Sequence, residues 1–362
     1  MKKTIWIKGA YGPHNLGDDL LYSLIYKNIK NRLDDSYNIV VGVDDKKKAR
    51  NINGDIEYKS SSQRIKSDFL ILGGGGQFYS FNDSEYKFSN KLKYYLTSLF
   101  GGKIHHLIYR KLNGDNVIKK AAFCVGVGPF HNPSYEINAV KKIAGFDYFS
   151  VRDMNSYNLL ESNNIEVSKF TDPVFVLEPI KAKSSGDKIG IILRDWNKDE
   201  YGKNVIEKLK DLARELKNKN YNVEILLLSN NDTEIIDSRL KGIPVWTWNA
   251  DEDPEITVKK WNEKYNTIIS SRAHGVLLGA LAGCNVIVAP LERKLKNFHL
   301  FFPKSTHYIK AEDFKEKNVF NIEYYINSSF DFDKRSEEII YNRSIAVKAF
   351  DSLCDWIKNN HD

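Results

Sequence analysis

Two short segments more than 250 residues apart hold the side chains best suited to chemistry. Asn15-Leu16-Gly17-Asp18-Asp19 follows the first apolar run, and Ser270-Ser271-Arg272-Ala273-His274-Gly275 follows a late one. The first offers two adjacent carboxylates and an amide. The second offers a guanidinium and an imidazole two residues apart at the start of a helix. Arg can grip a carboxylate or phosphate through a planar pair of donors, and His exchanges a proton near neutrality. A helix start adds unpaired N–H groups and the positive end of a dipole. Facing each other, the two segments would make an acid–base site for an anionic substrate, with His274 and Asp18 or Asp19 as the exchanging pair. The sequence assigns no direction to the proton transfer.

Other groups stand at comparable places. Arg152 and Arg194 each directly follow an apolar strand. Gly73-Gly74-Gly75-Gly76 ends another and is followed by Gln77, a pattern that lets a ligand approach backbone closely and meet one polar side chain. No GxGxxG or GxxxxGK[ST] pattern occurs, so neither the dinucleotide nor the P-loop fingerprint is present.

These residues need strands whose carboxyl ends converge. The chain alternates short apolar runs with amphipathic stretches, the mark of an α/β protein. A first series of strands is predicted at Thr4–Lys8, Asn38–Val43, Phe69–Leu72, Ala121–Val127 and Tyr148–Val151. A second is predicted at Ile189–Leu193, Asn222–Leu228, Val245–Trp248, Thr267–Ser270 and Val286–Ala289. Helices are expected at Asp19–Leu33, Asn204–Asn218, Val276–Ala282 and Arg335–Ile357. The polar, Ser/Gly/Pro-containing stretch between Glu178 and Lys188 reads as a linker. The expectation is two doubly wound Rossmann-like domains, 1–178 and 188–362, the second closed by a long amphipathic helix. Facing across a cleft, they resemble the GT-B architecture, in which strand ends of both domains line the ligand site.

Composition narrows the function. At 362 residues the chain exceeds the usual size of one core. A net charge of +7 suits small anions or an anionic surface, and no nucleic-acid-binding signature accompanies it. The three cysteines are dispersed in apolar contexts and read as buried thiols of a reducing compartment. No CxxC or HExxH occurs, so no metal site is expected. The N-terminus does not read as a signal peptide, and no apolar run reaches membrane-spanning length. A cytoplasmic protein is expected. The stretch 86–120 is basic and rich in interleaved apolar residues. It reads as a helical hairpin over the sheet or as a surface for an anionic membrane at the inner face.

In order and spacing, four motifs resemble the polysaccharide pyruvyl transferase family over most of the chain. They are Gly12-x-x-Asn15-x-Gly17-Asp18-Asp19, then Leu72-Gly73-Gly74-Gly75-Gly76-Gln77-Phe78, then Ser150-Val151-Arg152-Asp153-x-x-Ser156 with Thr171-Asp172-Pro173, and finally Ser271-Arg272-Ala273-His274-Gly275. Ala273 stands where the family usually has Leu. The family's later lysine is matched by Lys294 or Lys296. The resemblance implies an enzyme that transfers the pyruvyl unit of phosphoenolpyruvate to two hydroxyls of one sugar, releasing phosphate and leaving a cyclic ketal. The acceptor would be a cell-surface glycan or its lipid-linked precursor, and no cofactor would be needed. On this reading Arg152, Arg194, Arg272, Ser271, Gly275 and Lys294 bind the donor. Asn15, Gly17, Gly74, Gly75 and Gln77 face the acceptor. A nucleotide-sugar-dependent glycosyltransferase on the same fold is the rival reading, and a non-catalytic glycan-binding scaffold is a third.

Overall fold

Apolar runs rich in Val and Ile, too short for helices and buried on both faces, pair most readily as parallel strands covered by helices. The computed structural model follows that rule, and it describes residues 2–12, 15–63, 65–79, 117–130, 132–196, 198–292, 294–310, 312 and 322–361. The first sheet contains β1 (Lys3–Lys8), β2 (Tyr37–Val43), β3 (Glu57–Ser60), β4 (Ser67–Gly73), β5 (Gly76–Phe78), β6 (Val117–Val127), β7 (Tyr148–Val151) and β8 (Ser168–Lys169). Its order is β3-β2-β1-β4-β6-β7-β8, with β5 added alongside β6. The second contains β9 (Lys188–Leu193), β10 (Val223–Leu227), β11 (Val245–Thr247), β12 (Tyr265–Ser270), β13 (Asn285–Val288) and β14 (His307–Tyr308), in the order β11-β10-β9-β12-β13-β14. The pairings are parallel in both sheets, so the carboxyl ends within each lie along one edge. Strand order reverses between β1 and β4 and between β9 and β12, the two places where an open α/β sheet leaves a crevice for ligands.

Four strands escape the sequence reading: β3, β5, β8 and β14 are only two to four residues long and carry no readable alternation. The basic stretch 86–120 lies outside the described residues apart from its last four, which open β6.

The first helix, Leu16–Lys30, fastens the two domains. Its backbone meets the second sheet through Leu16 N–H to Leu228 O at 2.9 Å and an antiparallel bridge between Asn15 and Ser229. Lys27 pairs with Asp253 at 3.1 Å and Glu255 at 2.6 Å. Asp19, fully buried, accepts a 2.7 Å bond from Trp248 Nε1. Burial pushes its carboxyl up to about 7, against the pull of that indole bond. Trp248→Phe strips the carboxylate of this donor while keeping the aromatic volume. Leaving a buried acceptor unpaired should lower the free energy of unfolding by about 1–3 kcal/mol in denaturant titrations followed by circular dichroism.

Two features go beyond the sequence reading. The linker is docked along the second domain: Ile180 N–H bonds Leu281 O, and a Cβ on Gly186 would lie 2.1 Å from the Lys264 carbonyl carbon. The terminal helix, Phe332–Asn359, belongs to both domains rather than closing the second. Near its start Arg335 is buried and donates to Ala280 O and Cys284 O. Further on, Phe350 packs on Phe123 with ring centres 4.7 Å apart, and Trp356 on Phe69 at 5.7 Å, both under the first sheet. The three cysteines are free and buried, as their apolar contexts predict.

Candidate active site

The strand ends of both domains bring one dense group of charges together. Arg152 follows β7 and donates to Asp172 at 2.7 Å, with its guanidinium over the Phe298 ring at 4.9 Å. Arg194 follows β9 and pairs with Glu292 at 2.5 Å. Arg272 follows β12, stands at the N-cap position of the Ala273–Leu281 helix without a side-chain cap bond, and pairs with Asp232. Lys294 reaches the other oxygen of Glu292 at 2.8 Å. Burial lowers the Arg272 guanidinium to about 10, with Arg194 pushing the same way. Burial also lowers Lys294, against the pull of Glu292. Burial would raise Glu292, but Lys294 and Arg194 outweigh it and hold the carboxyl below its ordinary value.

The donors in this group are only partly used. Nε of Arg152, Arg194 and Arg272, and Nε2 of His274, are buried without a hydrogen-bond partner among the described residues. Buried polar groups are almost always paired, so three orphaned guanidinium N–H groups and an imidazole nitrogen close together call for a ligand.

Asp18 and His274 sit within this field. Asn15 caps the first helix, accepting from Gly17 N–H at 3.2 Å and donating to Asp18 Oδ2 at 2.8 Å. The helix begins at Leu16 rather than Asp19. Burial pushes the Asp18 carboxyl up to about 6, although Arg272, Arg152 and Lys294 all pull it down. Burial lowers His274 to about 4; Asp172 opposes this, while Arg152, Lys294 and Arg272 reinforce it. At neutral pH the imidazole is therefore an acceptor, and the carboxyl is mostly ionised but keeps a far larger protonated fraction than an ordinary aspartate.

Gly17 explains the closeness of the two segments. A Cβ there would lie 2.0 Å from His274 Nδ1, so only glycine lets the imidazole pack against the first turn. This is a packing role, distinct from the acceptor contact expected of Gly17. Several other expected site residues also turn out to shape the site. Ser271 is buried and donates to Ile192 O at 2.7 Å. Gly275 abuts Ile192 and Ser270, where a Cβ would meet Ile192 Cδ1 at 2.3 Å. Gln77 turns back to donate to Gly74 O at 2.9 Å. Gly74 takes φ +61° against Leu21. Gly75, at φ +71°, brings the loop beside Asp18, whose Oδ1 would be 3.8 Å from a Cβ there. Asp19 points away to Trp248.

Sequence reasoning missed Asp232, Glu292 and Lys198. Asp232 stands in the short 3-10 helix Asn230–Ile235 after β10 and Glu292 in the segment after β13, so strand-end position was their one readable signal. Lys198 follows β9, stacks over Trp196 at 4.9 Å and is lowered to about 8 by burial, with Arg194 adding to the shift. Lys294 enters the cluster, while Lys296 is exposed.

Beside Arg152 and Lys294 the site opens into a cleft of about 260 Å³. Among the described residues no group of three or more His, Cys, Asp or Glu side chains is placed to hold a metal ion. No helix among them is long and apolar enough to cross a membrane.

Two Rossmann-like sheets meeting at their carboxyl edges define a GT-B-type protein. The fold is shared, at low identity, with sugar-nucleotide enzymes. UDP-GlcNAc 2-epimerase of Methanocaldococcus jannaschii, solved with UDP-GlcNAc and UDP, is 14% identical with a TM-score of 0.55, covering 94% of this chain and 99% of that one. The corresponding enzyme of Rickettsia bellii is 11% identical with a TM-score of 0.54, covering 99% and 98%. Anabaena HepE, solved with UDP and glucose, is 10% identical with a TM-score of 0.52, covering 99% of each chain. A comparison with curated proteins gives no match. The family model for polysaccharide pyruvyl transferase matches residues 15–290, and the chain belongs to that family.

Proposed function

We propose that the protein transfers the pyruvyl unit of phosphoenolpyruvate to a sugar of a cell-surface glycan or its lipid-linked precursor, forming a cyclic ketal and releasing phosphate. The observation that carries this reading is the set of orphaned nitrogens on Arg152, Arg194, Arg272 and His274, with Arg152, Arg272 and Lys294 acting on Asp18. Phosphoenolpyruvate carries a carboxylate and a phosphate on three carbons. Several guanidinium groups in a partly dry site suit both.

The roles follow from the two shifts: the reactive form holds His274 neutral and Asp18 protonated, and it is a minor form at pH 7. The first sugar hydroxyl attacks C2 of the donor, and its proton passes to the neutral imidazole of His274. Asp18, raised toward neutrality, gives its proton to C3, and the methylene becomes a methyl group. The second hydroxyl of the same sugar then displaces phosphate from C2. Of the two hydroxyl protons, one has in net terms gone to C3 and the other leaves with phosphate. The guanidinium groups and Lys294 stabilise the charge on the departing phosphate. Ser271, Gly275, Gly17 and Gly74 hold the backbone of the two catalytic segments. No cofactor is required by this scheme.

The rates of the free enzyme should report these groups. The acid form of Asp18 is lost above about pH 6 and the base form of His274 below about pH 4. The value of kcat/KM for the donor should therefore fall as pH rises through 6, and as it drops through 4. Asp18→Asn should remove the alkaline limb along with most of the rate. An alkaline limb that persists in this variant would assign the titration elsewhere.

The direct test is phosphate release from phosphoenolpyruvate with a panel of lipid-linked saccharides, run beside a panel of nucleotide sugars. Phosphate released in an acceptor-dependent manner supports the proposal. Sugar transfer from a nucleotide donor without use of phosphoenolpyruvate would replace it with a glycosyltransferase.

A further inference from the structure

Gln77, one of the residues expected to face the acceptor, spends its amide on Gly74 O, and the neighbouring cleft offers further polar groups. The cleft beside Arg152 and Lys294 has a different chemistry from the cation cluster. Tyr79, 51% exposed, and Phe130 supply aromatic surface, and Phe298 closes the end under Arg152. The remaining polar lining is amide and carboxylate. Asn155 Nδ2 donates to Asn297 Oδ1 at 2.7 Å, and Asn297 Nδ2 to Asp153 Oδ1 at 3.2 Å. Glu136 stands on the same wall. The asparagine pair joins the two domains, since Asn155 follows β7 and Asn297 lies in the Leu295–His299 helix.

We infer that this cleft is the acceptor subsite and takes one neutral pyranose ring. The inference rests on the transferase reading above. Aromatic rings cover the C–H face of a sugar, while amides and carboxylates bond its hydroxyls. About 260 Å³ is below the usual size of sites for larger ligands, which limits the buried part of the acceptor to a single ring. Arg152 and Lys294 also line the cleft but are paired with Asp172 and Glu292 and face the bound phosphate, so the charges left for a sugar carboxylate to meet are Asp153 and Glu136, which disfavour it. Arg152 and Lys294 belong to both the cleft and the cation cluster, so a ring seated here has hydroxyls beside the donor. Because the walls come from both domains, the subsite is complete only when they are docked.

The test uses the full-length protein in inorganic phosphate and methyl glycosides of galactose, glucose, mannose and glucuronic acid, followed by saturation-transfer NMR. At least one neutral glycoside should bind, and the glucuronide should bind more weakly than methyl glucoside. Tyr79→Ala and Asn297→Ala should each weaken the neutral glycoside by about tenfold or more. Tyr79 is half exposed, so its variant folds even if Asn297→Ala loosens the domains; unchanged phosphate affinity verifies the cation cluster in both. No binding of a neutral glycoside, equal binding by wild type and both variants, or preference for the glucuronide overturns the subsite. Failure of the wild type to release phosphate from phosphoenolpyruvate would instead sink the transferase reading and leave the glycoside result standing.

Discussion

Arg272→Lys should lower kcat/KM for phosphoenolpyruvate by roughly 30- to 5000-fold, although the charge is kept. Arg272 spends one terminal nitrogen on Asp232 and holds a buried Nε with no partner among the described residues. A planar fork can serve Asp232 and a bound anion together, whereas an ammonium is a point charge that must choose. Truncating one partner of a buried charge pair costs about 2–5 kcal/mol, and that range sets the fold-change. The loss should fall mainly on donor KM if the grip acts in the ground state, and on kcat if it tightens at the transition state. The circular dichroism spectrum should be unchanged, because the helix that starts at Ala273 takes no side-chain cap bond from Arg272. Wild-type efficiency at subsaturating donor would remove Arg272 from donor binding.

His274→Gln should lower kcat by about 10²–10⁴-fold while the fold and donor affinity survive. Nε2 of the imidazole has no partner among the described residues, so the ring is not held by that nitrogen as an ordinary buried histidine would be. Glutamine preserves polarity and approximate size against Gly17 but cannot take up a proton. Turnover and melting temperature measured together separate the roles. A large fall in melting temperature with kcat within a few-fold of wild type would make His274 structural.

The parts of this molecule legible in its sequence are those fixed by short-range pattern. Apolar runs of four to seven residues ending in Gly, Arg or Ser announce parallel strands and their functional ends, so Arg152, Arg194, Arg272 and His274 were visible as candidates. The parts that were not legible depend on docking between distant segments. Asp18 and Asp19 are chemically alike, and only the presence of Trp248, 229 positions away, turns one into a structural tie. Gly17 looks like a loop glycine until His274 is seen against it. Gln77 offers a free amide in sequence and spends it on Gly74 in the fold. The terminal helix shows its apolar stripe plainly, but a stripe does not say which sheet covers it, and here its two halves serve different domains. Glu292 and Asp232 lack a distinctive spacing; they matter because a buried arginine needs a counter-charge.

The central claim concerns the fate of one carbon. Incubating the wild-type protein with phosphoenolpyruvate labelled with ¹³C at C2 and a glycan acceptor, and following the label by NMR, reads it directly. The account predicts that the label leaves the vinyl position and appears as a quaternary ketal carbon bonded through two oxygens to one sugar, with one phosphate released per ketal. Label recovered as free pyruvate, as an enol ether that keeps its methylene, or as unreacted donor while a nucleotide sugar is consumed would contradict it.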